Sequence, residues 1–188
     1  MKNSNRITTH ELVVIPLFTV LMFAGARISI PLSVLGIPFT LQLLFAVLTG
    51  LFLTPVSAGI AQFLYVVLGL FGLPVFAAGG GISYALNPSF GYIIGFIPAA
   101  IIASILFRKF KFNGYLSSIF SSFVAALVGY AFGITYSFLL NRFYLGNEKV
   151  SFIATMTAMG IYLLFDIIKI LIFAPYSVAL KKVIKFGN

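Results

Sequence analysis

Apolar residues run along this chain in long blocks, interrupted by prolines, glycines and small groups of basic residues. From Leu12 to Ala26 no charged side chain occurs. None occurs between Arg27 and Arg108, or from Phe112 to Asn141. An apolar run of about 18 residues or more is long enough to cross the hydrocarbon core of a bilayer as a helix. The pattern predicts six helices, over residues 11–30, 40–54, 56–72, 90–107, 114–141 and 151–180, with Pro55 separating the second from the third. The second and third are short. Fifteen residues at 1.5 Å each reach about 22 Å, against a core of about 30 Å. Their long uncharged connections are therefore expected to fold back into the protein, where partners can satisfy non-helical backbone at membrane depth.

Composition agrees with this reading. The chain has 188 residues, 61% hydrophobic and 8% charged, whereas soluble domains carry about 25% charged residues. A soluble surface cannot be built from it. The expectation is an all-α integral membrane protein, one polytopic domain over 1–188 at the cell membrane. The N-terminal Lys2, Arg6, the apolar stretch 12–23 and Ala24-Gly25-Ala26 imitate a cleaved leader. More membrane follows, so a retained first span is expected.

The net charge of +9 does not point to nucleic acid. Basic residues sit at the ends of apolar runs, where they meet lipid head groups. With the N-terminus inside, the inner segments hold eight of them (Lys2, Arg6, Arg108, Lys109, Lys111, Lys181, Lys182 and Lys185) and the outer segments three (Arg27, Arg142 and Lys149). The positive-inside rule then places both termini in the cytoplasm. The segment "PLSVLGIPF" (31–39) and the glycine-rich loop "PVFAAGGGISYALNPSFGY" (74–92) face outward.

Several chemistries are excluded. There is no cysteine and only one histidine, His10, so neither thiol chemistry nor a metal ligand set is available. No phosphate-binding G-x-x-x-x-G-K-[ST] occurs, and Gly79 to Gly81 do not form a dinucleotide fingerprint. No cofactor is expected. No arginine-rich voltage sensor and no internal repeat is present.

What polar chemistry remains is concentrated. "YLLFDIIKILIF" (162–173) carries Asp166 and Lys169 in mid-span, each costing about 2.5–3.5 kcal/mol at a helix centre. Their i, i+3 spacing puts them on one face, joined by Tyr162. The pair is either a self-neutralising anchor for helix packing or the polar floor of a pocket, the default for intramembrane ionisable residues. An ion of either sign would be repelled by one member. A neutral urea-like group would suit both, donating to the carboxylate and accepting from the ammonium. Pro175 is expected either to kink the sixth helix or to be tolerated. In the fifth helix Ser117, Ser121, Ala125, Gly129 and Gly133 recur every four residues, a seam for close helix approach. It serves internal packing or docking to another membrane subunit.

The segments "IPFTLQ" (37–42) and "GLPVFAAGGGISYALNPSFGYIIGF" (72–96), with Asp-x-x-Lys in the last helix, resemble the BioY family. That family comprises the biotin-specific substrate-binding (S) components of energy-coupling-factor (ECF) transporters. The resemblance implies a bacterial six-helix plasma-membrane subunit that captures biotin from outside. A separate transmembrane coupling protein and two ATPase subunits would supply the energy. It implies no enzyme activity. The expected substrate-binding residues are Gln42, Gly80, Gly81, Tyr84, Asn87, Asp166 and Lys169. The nearest approach to the family's docking signature in the first helix is Gly25-x-x-x-Ser29. The ureido ring is expected at Asp166 and Lys169. The carboxylate is expected at the loop, where glycine N–H groups converge and Asn87 and Tyr84 add donors. A plain flexible turn is the alternative reading of the glycines. A self-sufficient carrier and a membrane enzyme using Asp166 are the competing functions.

Overall fold

The computed structural model describes residues 9–34, 37–110, 113–147 and 150–183. Lys2, Arg6, Lys111, Lys149 and Lys185, on which much of the orientation rests, lie outside them. Among the described residues there are six α-helices: α1 (Thr9–Arg27), α2 (Gln42–Phe52), α3 (Pro55–Leu70), α4 (Phe90–Lys109), α5 (Gly114–Leu139) and α6 (Phe152–Val183). Local chemistry sets several boundaries. Thr54 stands before Pro55 in an extended conformation and caps α3, its side chain accepting from the Ser57 N–H, as the residue before a proline at N1 is disposed to do. Asn113 caps α5 in the same way through Tyr115.

The expectation of helix up to residue 30 is corrected. Helix α1 ends at Arg27 and two antiparallel strands follow, β1 (Ser29–Val34) and β2 (Ile37–Thr40). Ser29 pairs with Thr40, Ile30 with Phe39, Ser33 with Pro38 and Val34 with Ile37, with an irregularity between Ile30 and Ser33. Pro31 and Pro38 disfavour helix, and so short an apolar run reads equally as either element. The molecule is thus a helical membrane fold with a two-stranded hairpin set into one end.

Helix α4 is the centre, packed against α2, α3 and α5. Small residues make this possible. A Cβ on Gly50 would meet the Ala100 carbonyl at 2.2 Å, and one on Gly95 would meet the Gly129 carbonyl at 2.9 Å. Ser117, Ser121, Ala125, Gly129 and Gly133 are all buried. Gly129 faces Leu43 and Ala99, and Gly133 faces the Tyr92 ring. The four-residue repeat in α5 is therefore an internal seam. Gly25 is buried as well, against Phe45.

Helices α4, α5 with the π turn Leu140–Tyr144, and α6 are long and apolar enough to cross a membrane, while α2 and α3 are shorter apolar helices. Helix α6 lies at the periphery and exposes Leu164, Phe165, Ile168, Leu171 and Ile172, a surface that suits lipid and not water. It continues through Pro175 to Val183, so the proline does not end it.

Candidate functional site

The hairpin, the 72–89 connection, the N-terminal parts of α2 and α4 and the inner turns of α5 and α6 line a cavity of about 50 Å³. Strand β2 forms one wall through Ile37, Pro38, Phe39 and Thr40; Gln42 and Leu43 continue it. Tyr84 and Ser89, then Tyr92, Ile93 and Phe96, close a second wall, and Tyr130, Tyr162 and Asp166 a third.

Asp166 is 6% exposed and held from two directions. Its Oδ1 makes an ion pair with Lys169, and its Oδ2 accepts from the Tyr130 hydroxyl at 2.6 Å. A carboxylate oxygen has two lone pairs, so Oδ1 keeps acceptor capacity beside the Lys169 ion pair in a buried position. Lys169 points behind the wall. Its ammonium donates to the Thr40 carbonyl at 3.0 Å and lies 4.2 Å from the centre of the Phe39 ring. Of the expected deep pair, Asp166 reaches the cavity and Lys169 supports it. Tyr162 donates to the Ile37 carbonyl at 2.9 Å, so α6 grips β2 at both ends.

Gln42 is buried at the start of α2 and joins two halves of the site. Its Oε1 accepts from the Thr40 hydroxyl at 3.1 Å, and its Nε2 donates to the Tyr65 hydroxyl at 2.6 Å. Tyr65 in turn donates to the Val75 carbonyl at 2.9 Å. A continuous polar chain thus runs from Lys169 through β2 and α2 to the glycine-rich connection.

That connection is strapped down. Phe76 and Gly79 close a tight turn through two backbone bonds, of 2.9 and 3.2 Å. The Phe76 ring is fully buried, with ring centres 5.3 Å from Tyr65 and 4.7 Å from Tyr84. It occupies room that a Cβ on Gly69 would fill, at 2.0 Å from the ring. Gly79 and Gly81 have φ of 120° and 101°, values that favour glycine. A Cβ on Gly80 would meet the Leu73 carbonyl at 2.1 Å.

The carboxylate cradle expected at Gly80 and Gly81 does not stand on the cavity wall. The Gly81 N–H donates to the Gly69 carbonyl at 2.7 Å. The glycines seat the loop on the end of α3, which makes it neither a free cradle nor a plain flexible turn. Asn87 is also behind the wall. Its Oδ1 accepts from the Ser89 N–H at 2.9 Å and from the Ser89 hydroxyl at 2.8 Å, which sets Ser89 3.1 Å from the Tyr84 hydroxyl. Gln42, Tyr84 and Asp166 line the cavity together; Lys169 and Asn87 position residues that do.

Tyr92 and Tyr130 are missing from the residues singled out in the sequence. Tyr130 holds the carboxylate. Tyr92 packs edge-on against it at 5.7 Å, and its buried hydroxyl has no hydrogen-bond partner. A signal existed. In a chain with 22 phenylalanines, a tyrosine inside an uncharged block carries a hydroxyl that burial obliges to find a partner.

The fold and site define a class: a small helical membrane protein with a mostly apolar cavity into which one buried carboxylate and several tyrosines project. The chain covers 94% of itself and 95% of a solved structure at a TM-score of 0.73 and 20% identity, the crystal structure of the S-component for biotin from an ECF-type ABC transporter. At that identity the likeness is one of fold. The sequence pattern of the BioY family matches residues 1–186. The biotin transporter BioY of Thermotoga maritima is 37% identical over 176 residues, 92% of this chain and 96% of the relative. A probable biotin transporter BioY of Lysinibacillus sphaericus is 36% identical over 142 residues, 76% of this chain and 71% of the relative. The chain belongs to the BioY family.

Proposed function

We propose that this chain is the biotin-capturing subunit of an ECF-type uptake transporter in the plasma membrane of a bacterium. The observation that carries the reading is a buried hydroxyl without a hydrogen-bond partner, that of Tyr92, lining the same cavity as the buried Asp166 carboxylate, whose oxygens keep free lone pairs beside the Lys169 and Tyr130 contacts. An unmatched buried polar group costs about 1–3 kcal/mol, so a ligand that pairs with both gains affinity. A ureido ring offers an N–H to the carboxylate and a C=O to the tyrosine, and the surrounding aromatic and aliphatic wall suits the thioether ring and tail. The names of the relatives point to the same ligand. Catalysis has no comparable support, since the family and the relatives are transporters.

The cavity as it stands accommodates a few waters, so biotin entry requires the walls to part. In this reading both termini are cytoplasmic, the hairpin and the 72–89 connection face outward, and a coupling protein with two ATPase subunits completes the transporter. The test is to purify the protein in detergent from cells grown with biotin and analyse the denatured sample by mass spectrometry. One biotin per chain is expected. Protein that stays empty and gives no heat on titration with biotin overturns the reading.

A further inference from the structure

A ligand carboxylate finds little at the cavity itself. The charged side chain on its wall is Asp166, an anion. Lys169 is committed to Asp166 and to the Thr40 carbonyl. The Gly81 N–H is committed to Gly69. A cation stands instead outside the cavity lining, at the end of α1. Arg27 ends α1, is exposed, and lies 5.2 Å from the centre of the Phe23 ring. Its guanidinium donates to the Pro74 carbonyl, which leaves most of its five N–H donors for other acceptors.

Two sets of bonds tie that position to the cavity. The carbonyl after Pro74, that of Val75, receives the Tyr65 hydroxyl, and Tyr65 receives Gln42 Nε2 from the cavity wall. Two residues back in α1, the Gly25 carbonyl accepts from the Leu41 N–H at 3.1 Å, so the end of α1 abuts the start of α2. Between Arg27 and Arg108 no other charged residue exists, so no neighbouring anion in that stretch neutralises it. On the outward face a basic residue also runs against the positive-inside preference. A role in topology therefore does not account for it.

We infer that Arg27 recruits and holds the carboxylate end of the ligand outside the cavity lining, and so makes the chain prefer biotin over a neutral biotin derivative. This rests on the reading of the cavity as a biotin site. The ring enters toward Asp166 and Tyr92, and the charged tail remains beside Arg27. An exposed pair of this kind is modest in strength and sensitive to salt, and it acts strongly on the rate of encounter.

The experiment measures binding of biotin and of biotin amide to full-length protein in nanodiscs of neutral lipid, at low and at physiological salt. In the parent, the biotin on-rate should fall with salt while that of the amide stays constant. R27Q should weaken biotin about three- to tenfold, leave the amide unchanged and abolish the salt effect; R27K should restore part of both. Equal loss of both ligands in R27Q shows Arg27 to be an anchor for the loop and overturns the inference. So does an unchanged R27Q, or a parent whose biotin on-rate ignores salt; the last holds even if R27Q does not fold. A parent that binds both ligands alike overturns the inference and leaves the biotin reading standing. A parent that binds neither overturns that reading first.

Discussion

Asp166 is surrounded by groups that each satisfy part of its charge, and the variants at this position separate stability from binding. Lys169→Ala leaves a buried carboxylate with the Tyr130 bond alone and frees the Thr40 carbonyl, so it should lower the thermal midpoint as well as biotin affinity. The double variant D166N/K169M removes both charges together and should recover much of that midpoint, since losing one partner of a buried pair is costlier than losing both. It should not recover binding. Asp166→Asn alone should weaken biotin about ten- to a hundredfold, the equivalent of roughly 1.5–3 kcal/mol for one charge-assisted bond, as read by titration calorimetry. If Asp166→Asn binds like the parent, the pair is an anchor for packing only. Tyr92→Phe removes a hydroxyl without a partner in the empty protein. It should leave the midpoint unchanged or raise it, while weakening biotin by about 1 kcal/mol. A lowered midpoint with unchanged affinity would place that hydroxyl in the fold and not in the site.

Between elements, the α4–α5 seam decides where the site residues stand. A Cβ on Gly133 would lie 2.3 Å from the Tyr92 ring, so Gly133→Ala should keep the fold and displace the ring from the cavity, seen as weakened biotin binding with a monodisperse elution profile. Gly129 has Leu43 at 3.2 Å and Ala99 at 3.9 Å. Gly129→Leu forces the helices apart and should cost monodispersity itself. A Gly129→Leu protein that elutes and melts like the parent would show the seam to be incidental. The loop follows the same logic. Gly80→Ala meets the backbone carbonyl of Leu73, which cannot swing aside as a side chain can, so the loop must lift from α3.

For the whole molecule, the proposed transport role predicts dependence on partners. The sequence carries no phosphate-binding loop, so concentrative uptake into liposomes should require added coupling and ATPase subunits. Accumulation of biotin by the chain alone against a gradient would establish the carrier alternative. Much of this architecture was legible in the order of residues. The uncharged blocks dictate membrane helices because lipid offers backbone groups no partners, and all six expected spans coincide with observed helices to within a few residues. The four-residue repeat of small side chains in α5 dictates a close helix contact, and the motifs at 37–42, 72–96 and 166–169 carry the family. The hairpin at 29–40 was not legible, because a few alternating apolar residues beside prolines fit several conformations until a partner strand selects one. Nor was the division of labour in the site. Spacing puts Asp166 and Lys169 on one helix face, yet which of them meets the cavity depends on the Thr40 carbonyl and the Phe39 ring, both over a hundred residues away in the chain. Clustered glycines suggest open N–H groups, yet the end of α3 takes the Gly81 N–H and the Leu73 carbonyl just beyond it leaves no room for a Cβ at Gly80. Composition and periodicity report the solvent around each segment; only the packed structure decides which polar atoms have found partners and which still wait for a ligand.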